Sequence, residues 1–122
     1  MENELEQHIM SLDAYEYTLL NTICDYSNIT LAELVGQVRK NEYVNARKIA
    51  SLIMSSKGYT YNYIGKVISL IPKDHTTIMY HIDKANAHYR IEPEFKNIVD
   101  SVNNVLFKQN FTSFKYKKNA RN

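Results

Sequence analysis

Lys73-Asp74-His75-Thr76-Thr77-Ile78-Met79-Tyr80-His81-Ile82-Asp83-Lys84 decides how this chain is read. Its first five residues are the densest polar cluster in the sequence, and they follow a turn at Ser69 to Lys73 that contains Pro72. From Asp74 to about Arg90 the spacing predicts a helix, with Ile78, Ile82, Ala85 and Tyr89 on one buried stripe. Two readings of the helix start stand side by side. In one, Asp74 only caps the helix, and Thr76 and Thr77 are ordinary first-turn polar residues. In the other, the helix end enters a DNA major groove, where the N-terminal residues of a recognition helix reach base edges. Thr76 then offers its methyl group to thymine, Asp74 accepts from a cytosine or adenine amino group, and His75 donates to an acceptor or touches a thymine methyl. Lys73, just outside, lies near phosphate.

Working outward, three glycines and two prolines in 122 residues favour long helices over a many-turned β architecture. Leu5, Ile9, Leu12, Leu19, Ile23 and Cys24 predict a first helix over roughly residues 4 to 26. Thr30-Leu31-Ala32-Glu33 has the form of a capping box before Leu34 and Val35, so a short second helix follows. A third is predicted from about Tyr43 to Lys57, with Arg47 and Lys48 outside and Gly58 ending it. Tyr59-Thr60-Tyr61-Asn62-Tyr63-Ile64 alternates like a half-buried strand of a winged-helix hairpin, yet Tyr61, Ile64, Gly65 and Ile68 also share a helical stripe. A fourth helix capped by Thr60 is the preferred reading. Pro93 suits the first position of a sixth helix running to about Phe107. The expected fold class is all-α, a compact bundle of about six helices.

Composition narrows the function. The chain is 44% hydrophobic and 23% charged, which suits one globular domain, and no apolar run approaches the length of a membrane span. No secretory signal is visible, so a cytoplasmic location is expected. Cys24 is the single cysteine and is expected to be buried. Asn28-Ile29-Thr30 and Asn110-Phe111-Thr112 match the glycosylation tripeptide, a pattern frequent by chance. His75, His81 and His88 are spaced wrongly to share one ion on a straight helix, so no metal site is expected. No glycine-rich nucleotide loop and no nucleophile beside a base is visible, so neither a cofactor nor catalysis is expected.

The net charge of +2 conceals segregation. Residues 1 to 38 carry seven acids and no Lys or Arg, whereas residues 39 to 90 carry nine Lys or Arg against Glu42, Asp74 and Asp83. Such asymmetry points the middle of the chain at a polyanion and leaves the acidic start free to meet a protein partner or a second copy. Residues 1 to 19 read as an acidic helical extension, 20 to 107 as the main domain, and 108 to 122 as a flexible basic tail with Lys115, Lys117, Lys118 and Arg121. Tyr59, Tyr61 and Tyr63 offer a further alternative as stacking platforms for single strands.

The run Lys73-Asp74-His75-Thr76-Thr77-Ile78 resembles the signature that opens the recognition helix in the DNA-binding C-terminal domain of DnaA, the bacterial replication initiator. Ala46-Arg47-Lys48-Ile49-Ala50-Ser51-Leu52-Ile53 is similar to a second helix of that family, and Tyr63-Ile64-Gly65 falls at its first helix-turn-helix element. Ile29-Thr30-Leu31-Ala32-Glu33-Leu34 matches the short helix that begins the domain core. The resemblance covers roughly residues 20 to 107.

It implies a Trp-repressor-like helix-turn-helix that binds short, asymmetric, A/T-containing sites in double-stranded DNA, in replication control or transcription regulation. By position, Asp74, His75 and Thr76 would touch bases in the major groove, and Arg39 would enter the minor groove. Arg47, Lys73 and Thr77 would meet phosphates, joined by Lys40, Lys48 and the helix start at Thr60 and Tyr61. Ile68-Ser69-Leu70-Ile71-Pro72-Lys73 is longer than the family's turn and lacks its glycines. No ATPase motif accompanies the domain, so the chain is expected to be the reader without the motor.

Overall fold

A computed structural model describes residues 3–109 of the chain. They form seven helices: α1 (Glu4–Ser11), α2 (Ala14–Ser27), α3 (Leu31–Val35), α4 (Asn41–Ser56), α5 (Tyr61–Val67), α6 (His75–Ile91) and α7 (Pro93–Lys108). No strand occurs among the described residues. The tyrosine-rich segment is therefore helical, and the Thr60 hydroxyl accepts from the Tyr63 N–H at 3.2 Å to start α5. Thr30 and Glu33 make the expected capping box of α3.

The single first helix expected over residues 4 to 26 is two helices. Leu12 is extended, and Asp13 starts α2 by accepting from the Glu16 N–H while the Glu16 carboxylate accepts from the Asp13 N–H, at 2.8 and 2.9 Å. That reciprocal bonding competes with helix continuation and wins locally. The apolar period runs on across the break, which is why periodicity alone does not reveal it.

α2, α4, α6 and α7 build the core, with α4 packed on α6 and α2 on both α4 and α7. Leu19, Leu20 and Ile23 of α2, Ile49 and Ile53 of α4, Ile78 and Ala85 of α6, and Phe95, Val102 and Leu106 of α7 are all buried in one core cluster. Most of the stability must come from this burial, because helices of this length are marginal alone. Cys24 lies in the core, and burial pushes its thiol up to about 12. Gly58 takes a φ of 95°, and Tyr59 N–H reaches back to the Met54 carbonyl to close α4.

The expected boundary between residues 19 and 20 falls inside α2, whose Tyr15 and Leu19 are both core residues. α1 also packs onto the domain, through Leu5 and through His8, whose Nε2–H donates to the Val67 carbonyl at 2.7 Å. No helix among the described residues is long and apolar enough to cross a membrane. The basic tail beyond Gln109, with Lys115, Lys117, Lys118 and Arg121, and the tripeptide at Asn110 lie outside the described residues.

Candidate nucleic-acid interface

α5, the turn at residues 68–74 and α6 form a helix-turn-helix. The two helices are locked where Gly65 meets Lys73. Lys73 N–H donates to the Gly65 carbonyl at 3.2 Å, and a Cβ placed on Gly65 would overlap the Lys73 carbonyl oxygen. The longer turn without glycine is held from outside. Leu70 N–H donates to the Val35 carbonyl at 2.9 Å, and Gln37 donates to the Ser69 hydroxyl at 3.2 Å.

At the tip of α6, Asp74, His75 and Thr76 are exposed and Thr77 is half-buried. Asp74 caps the helix: one carboxylate oxygen accepts from the Thr77 N–H at 3.0 Å, and that bond is the main reason its carboxyl is held below the usual range. The cap fixes the rotamer of Asp74 and leaves His75 and Thr76 facing outward.

Beside the tip lies a cleft between α4 and α6. Arg39, Arg47, Lys48 and Lys73 line it together with Thr76 and Thr77, and among the described residues no carboxylate does. Burial lowers the Lys73 ammonium, and the charges of Arg47 and Arg39 lower it further. Lys48 is lowered by burial and then by Lys84. Cations gathered this closely repel one another, so an anion placed among them is favoured twice, by attraction and by relief of that repulsion.

Arg47 departs from expectation. It was expected on the outer face of its helix, but it is 3% exposed. Its Nε–H donates to the Leu34 carbonyl at 2.7 Å, and its Nη2 donates to the carbonyls of Glu33 and Val38 at 3.0 and 2.9 Å. Carbonyls at the end of α3 lack partners within the helix, and the guanidinium supplies them. Arg47 thereby fixes the loop that carries Arg39 and Lys40, both exposed. Lys40 leans over the Tyr43 ring at 5.6 Å.

The structure brings six expected residues into one cleft and leaves five around it. Asp74 and His75 sit at the tip, Lys40 on the loop, and Thr60 and Tyr61, both half-buried, at the start of α5. Tyr59 turns inward at 3% exposure and stacks on Tyr15, and the Tyr63 hydroxyl donates to Glu16 at 2.6 Å. These two tyrosines are packing residues rather than outward platforms.

Tyr80 and His81, which the motif does not mark as interface residues, also line the cleft. Tyr80 follows Thr76 by four residues and His81 follows Thr77 by four, a spacing that places them on the same faces. His81 is buried with neither ring nitrogen hydrogen-bonded. Burial, then Lys73, Lys48, Arg47 and Arg39, push its pKa down to about 4. Among the described residues, no group of three or more His, Cys, Asp or Glu is placed to hold a metal ion.

Residues 17–85, more than half of the chain, match the family described as "Bacterial dnaA protein helix-turn-helix". A curated relative, the chromosomal replication initiator protein DnaA of Thermomicrobium roseum, is 30% identical over 90 residues, which is 73% of this chain and 19% of that protein. The chain therefore spans about a fifth of the length of the curated relative it matches. No solved structure matches. With the helix-turn-helix, its capped Asp74 tip and the basic cleft all within the matched residues or at their edge, the chain belongs to the bacterial DnaA helix-turn-helix family.

Proposed function

We propose that this chain binds double-stranded DNA sequence-specifically through α6, in replication initiation, its control or transcription regulation, within a bacterial, phage or mobile-element cytoplasm and without ATPase activity of its own. One observation carries the reading: an outward-facing Asp74-His75-Thr76 tip stands directly beside a cleft that, among the described residues, is lined by four cations and no carboxylate. Asp74, His75 and Thr76 contact base edges in the major groove, and Arg39, on the loop pinned by Arg47, enters the adjacent minor groove. Lys73, Lys48, Arg47 and Thr77 contact phosphates on the α4 side, Thr60 and Tyr61 on the α5 side, and Lys40 along the loop. The preferred sites are short, asymmetric and A/T-containing.

The test is selection of bound duplexes from a random pool, followed by comparison of the selected site with a scrambled one. Thr76→Ala and His75→Ala each lower that discrimination by about 1 to 3 kcal/mol. Equal binding to all sequences, unchanged by Thr76→Ala, overturns the proposal.

A second reading concerns α1. Its Met10 is 83% exposed on a helix that carries Glu4 and Glu6. This surface suits another replication protein or a second copy of the chain. Met10→Asp leaves DNA affinity intact and abolishes such association; sedimentation at rising concentration, with and without the substitution, decides it.

A further inference from the structure

The outward face of α6 continues past the tip, and its next side chain is apolar. Met79 is 41% exposed and stands three residues after Thr76, on the same face about 4.5 Å further along the helix axis. Four residues beyond it, Asp83 is also exposed on that face. A carboxylate there repels the phosphate walls of a groove and so disfavours entry of the helix beyond Met79. Tyr80, 58% exposed and four residues after Thr76, lies on the cleft side of the same face. It lines the basic cleft and lies under the Lys84 ammonium, 5.4 Å from the ring centroid. Met79 is the exposed apolar side chain on the other side of that face, outside the lining of the basic cleft.

A large apolar side chain at a groove-facing position finds its best complement in the C5-methyl of thymine, the one methyl group that the major-groove edges of the four bases present. Methionine suits it because the unbranched thioether adapts to a contact whose position varies by an ångström or so. We propose that Met79 is a further specificity-determining residue, which packs on the methyl group of a thymine next to the base pairs read by Thr76. This rests on the proposal that α6 is the reading helix and adds a base position to it.

The test uses the full chain and a duplex obtained by selection from a random pool. Each thymine in turn is replaced by deoxyuridine, which keeps the Watson–Crick pair and removes only the methyl. For the unaltered protein, one or two replacements are expected to weaken binding about fourfold, the value of one buried methyl group. Met79→Ala loses the penalty at one of these thymines and still prefers the selected site over a scrambled one, whereas Thr76→Ser loses it at a neighbouring thymine instead. Met79 is exposed, so an unchanged melting temperature checks that Met79→Ala remains folded. Deoxyuridine penalties that are the same for Met79→Ala and the parent at every position overturn the assignment while leaving α6 as the reading helix. A pool from which nothing is enriched removes both.

Discussion

Gly65 and Lys73 touch backbone to backbone: the Lys73 N–H donates to the Gly65 carbonyl at 3.2 Å, and any Cβ on Gly65 would overlap the Lys73 carbonyl oxygen. The angle between α5 and α6, and with it the direction in which His75 and Thr76 project, is set at this point. Backbone atoms cannot step aside as a flexible side chain can, so Gly65→Ala must part the two helices. The expected loss is about 3 kcal/mol of stability, in the range of overpacked cores. Urea unfolding measures it. A change below 1 kcal/mol would show that the contact is looser than the geometry states.

Arg47 is the second fixed point. Its guanidinium holds three carbonyls of Glu33, Leu34 and Val38 in a fork that an ammonium cannot reproduce. Arg47→Lys keeps the charge and is expected to cost about 2 to 3 kcal/mol, because buried carbonyls lose a charged donor. Chemical denaturation of the two proteins side by side is the check, and equal midpoints would contradict the anchoring role.

Asp74 links stability to acid. Its carboxyl is held low chiefly by the Thr77 N–H bond, so the folded group has a lower pKa than the unfolded one. The cap is therefore fully present above the ordinary carboxyl range, near pH 4, and is lost as pH falls through the depressed value. Asp74→Ala should melt at a lower temperature than the parent at pH 7, with the gap closing in strong acid. Asp74→Asn caps without titrating and should show no such closure. Thermal scans across pH separate the three.

His81 acts over a different window. Buried among cations and without a partner, its imidazole has a pKa near 4 instead of 6.5. Unfolding lets it take a proton, so stability is complete above about pH 6.5 and declines as pH falls toward 4. The full difference corresponds to about 3 kcal/mol. His81→Leu removes this slope and leaves a flatter stability profile between pH 7 and pH 4.5. Denaturation midpoints at those two pH values, for both proteins, decide whether His81 is its source.

The division between what the sequence reveals and what it conceals follows bond type. Ile78, Ile82 and Ala85 repeat on one stripe and are buried as expected, because burial of side chains has a period that a sequence displays. Thr30 and Glu33, three apart, announce their capping box. Asp13 and Glu16 carry the same three-residue spacing, but they sit within a continuous apolar period, so their capping box passes for mid-helix polarity. Arg47 is legible as basic and, through the resemblance, as a candidate phosphate contact. Its burial is not, because the carbonyls it serves belong to α3 and the following loop and become neighbours only in the folded chain. His81 is hidden for a related reason: it occupies the buried stripe of α6, where a polar residue is not expected.

The basic cleft makes the last prediction quantitative. Phosphate contacts release counterions, so the logarithm of affinity falls with the logarithm of salt concentration by about 0.9 per phosphate neutralised. Lys73 and Lys48 line the cleft beside α6, each with its ammonium pKa lowered by burial and by neighbouring cations, and both are proposed phosphate contacts. Lys73→Ala and Lys48→Ala should each reduce the slope by about one unit and weaken selected and scrambled duplexes alike. Lys96 is the control. It lies on α7 and is held by Asp100 at 2.9 Å, so Lys96→Ala should leave the slope unchanged. Affinities at four or five salt concentrations resolve differences of this size. Equal slopes for all three variants and the parent would place the phosphates elsewhere on the surface and remove the cleft from the interface.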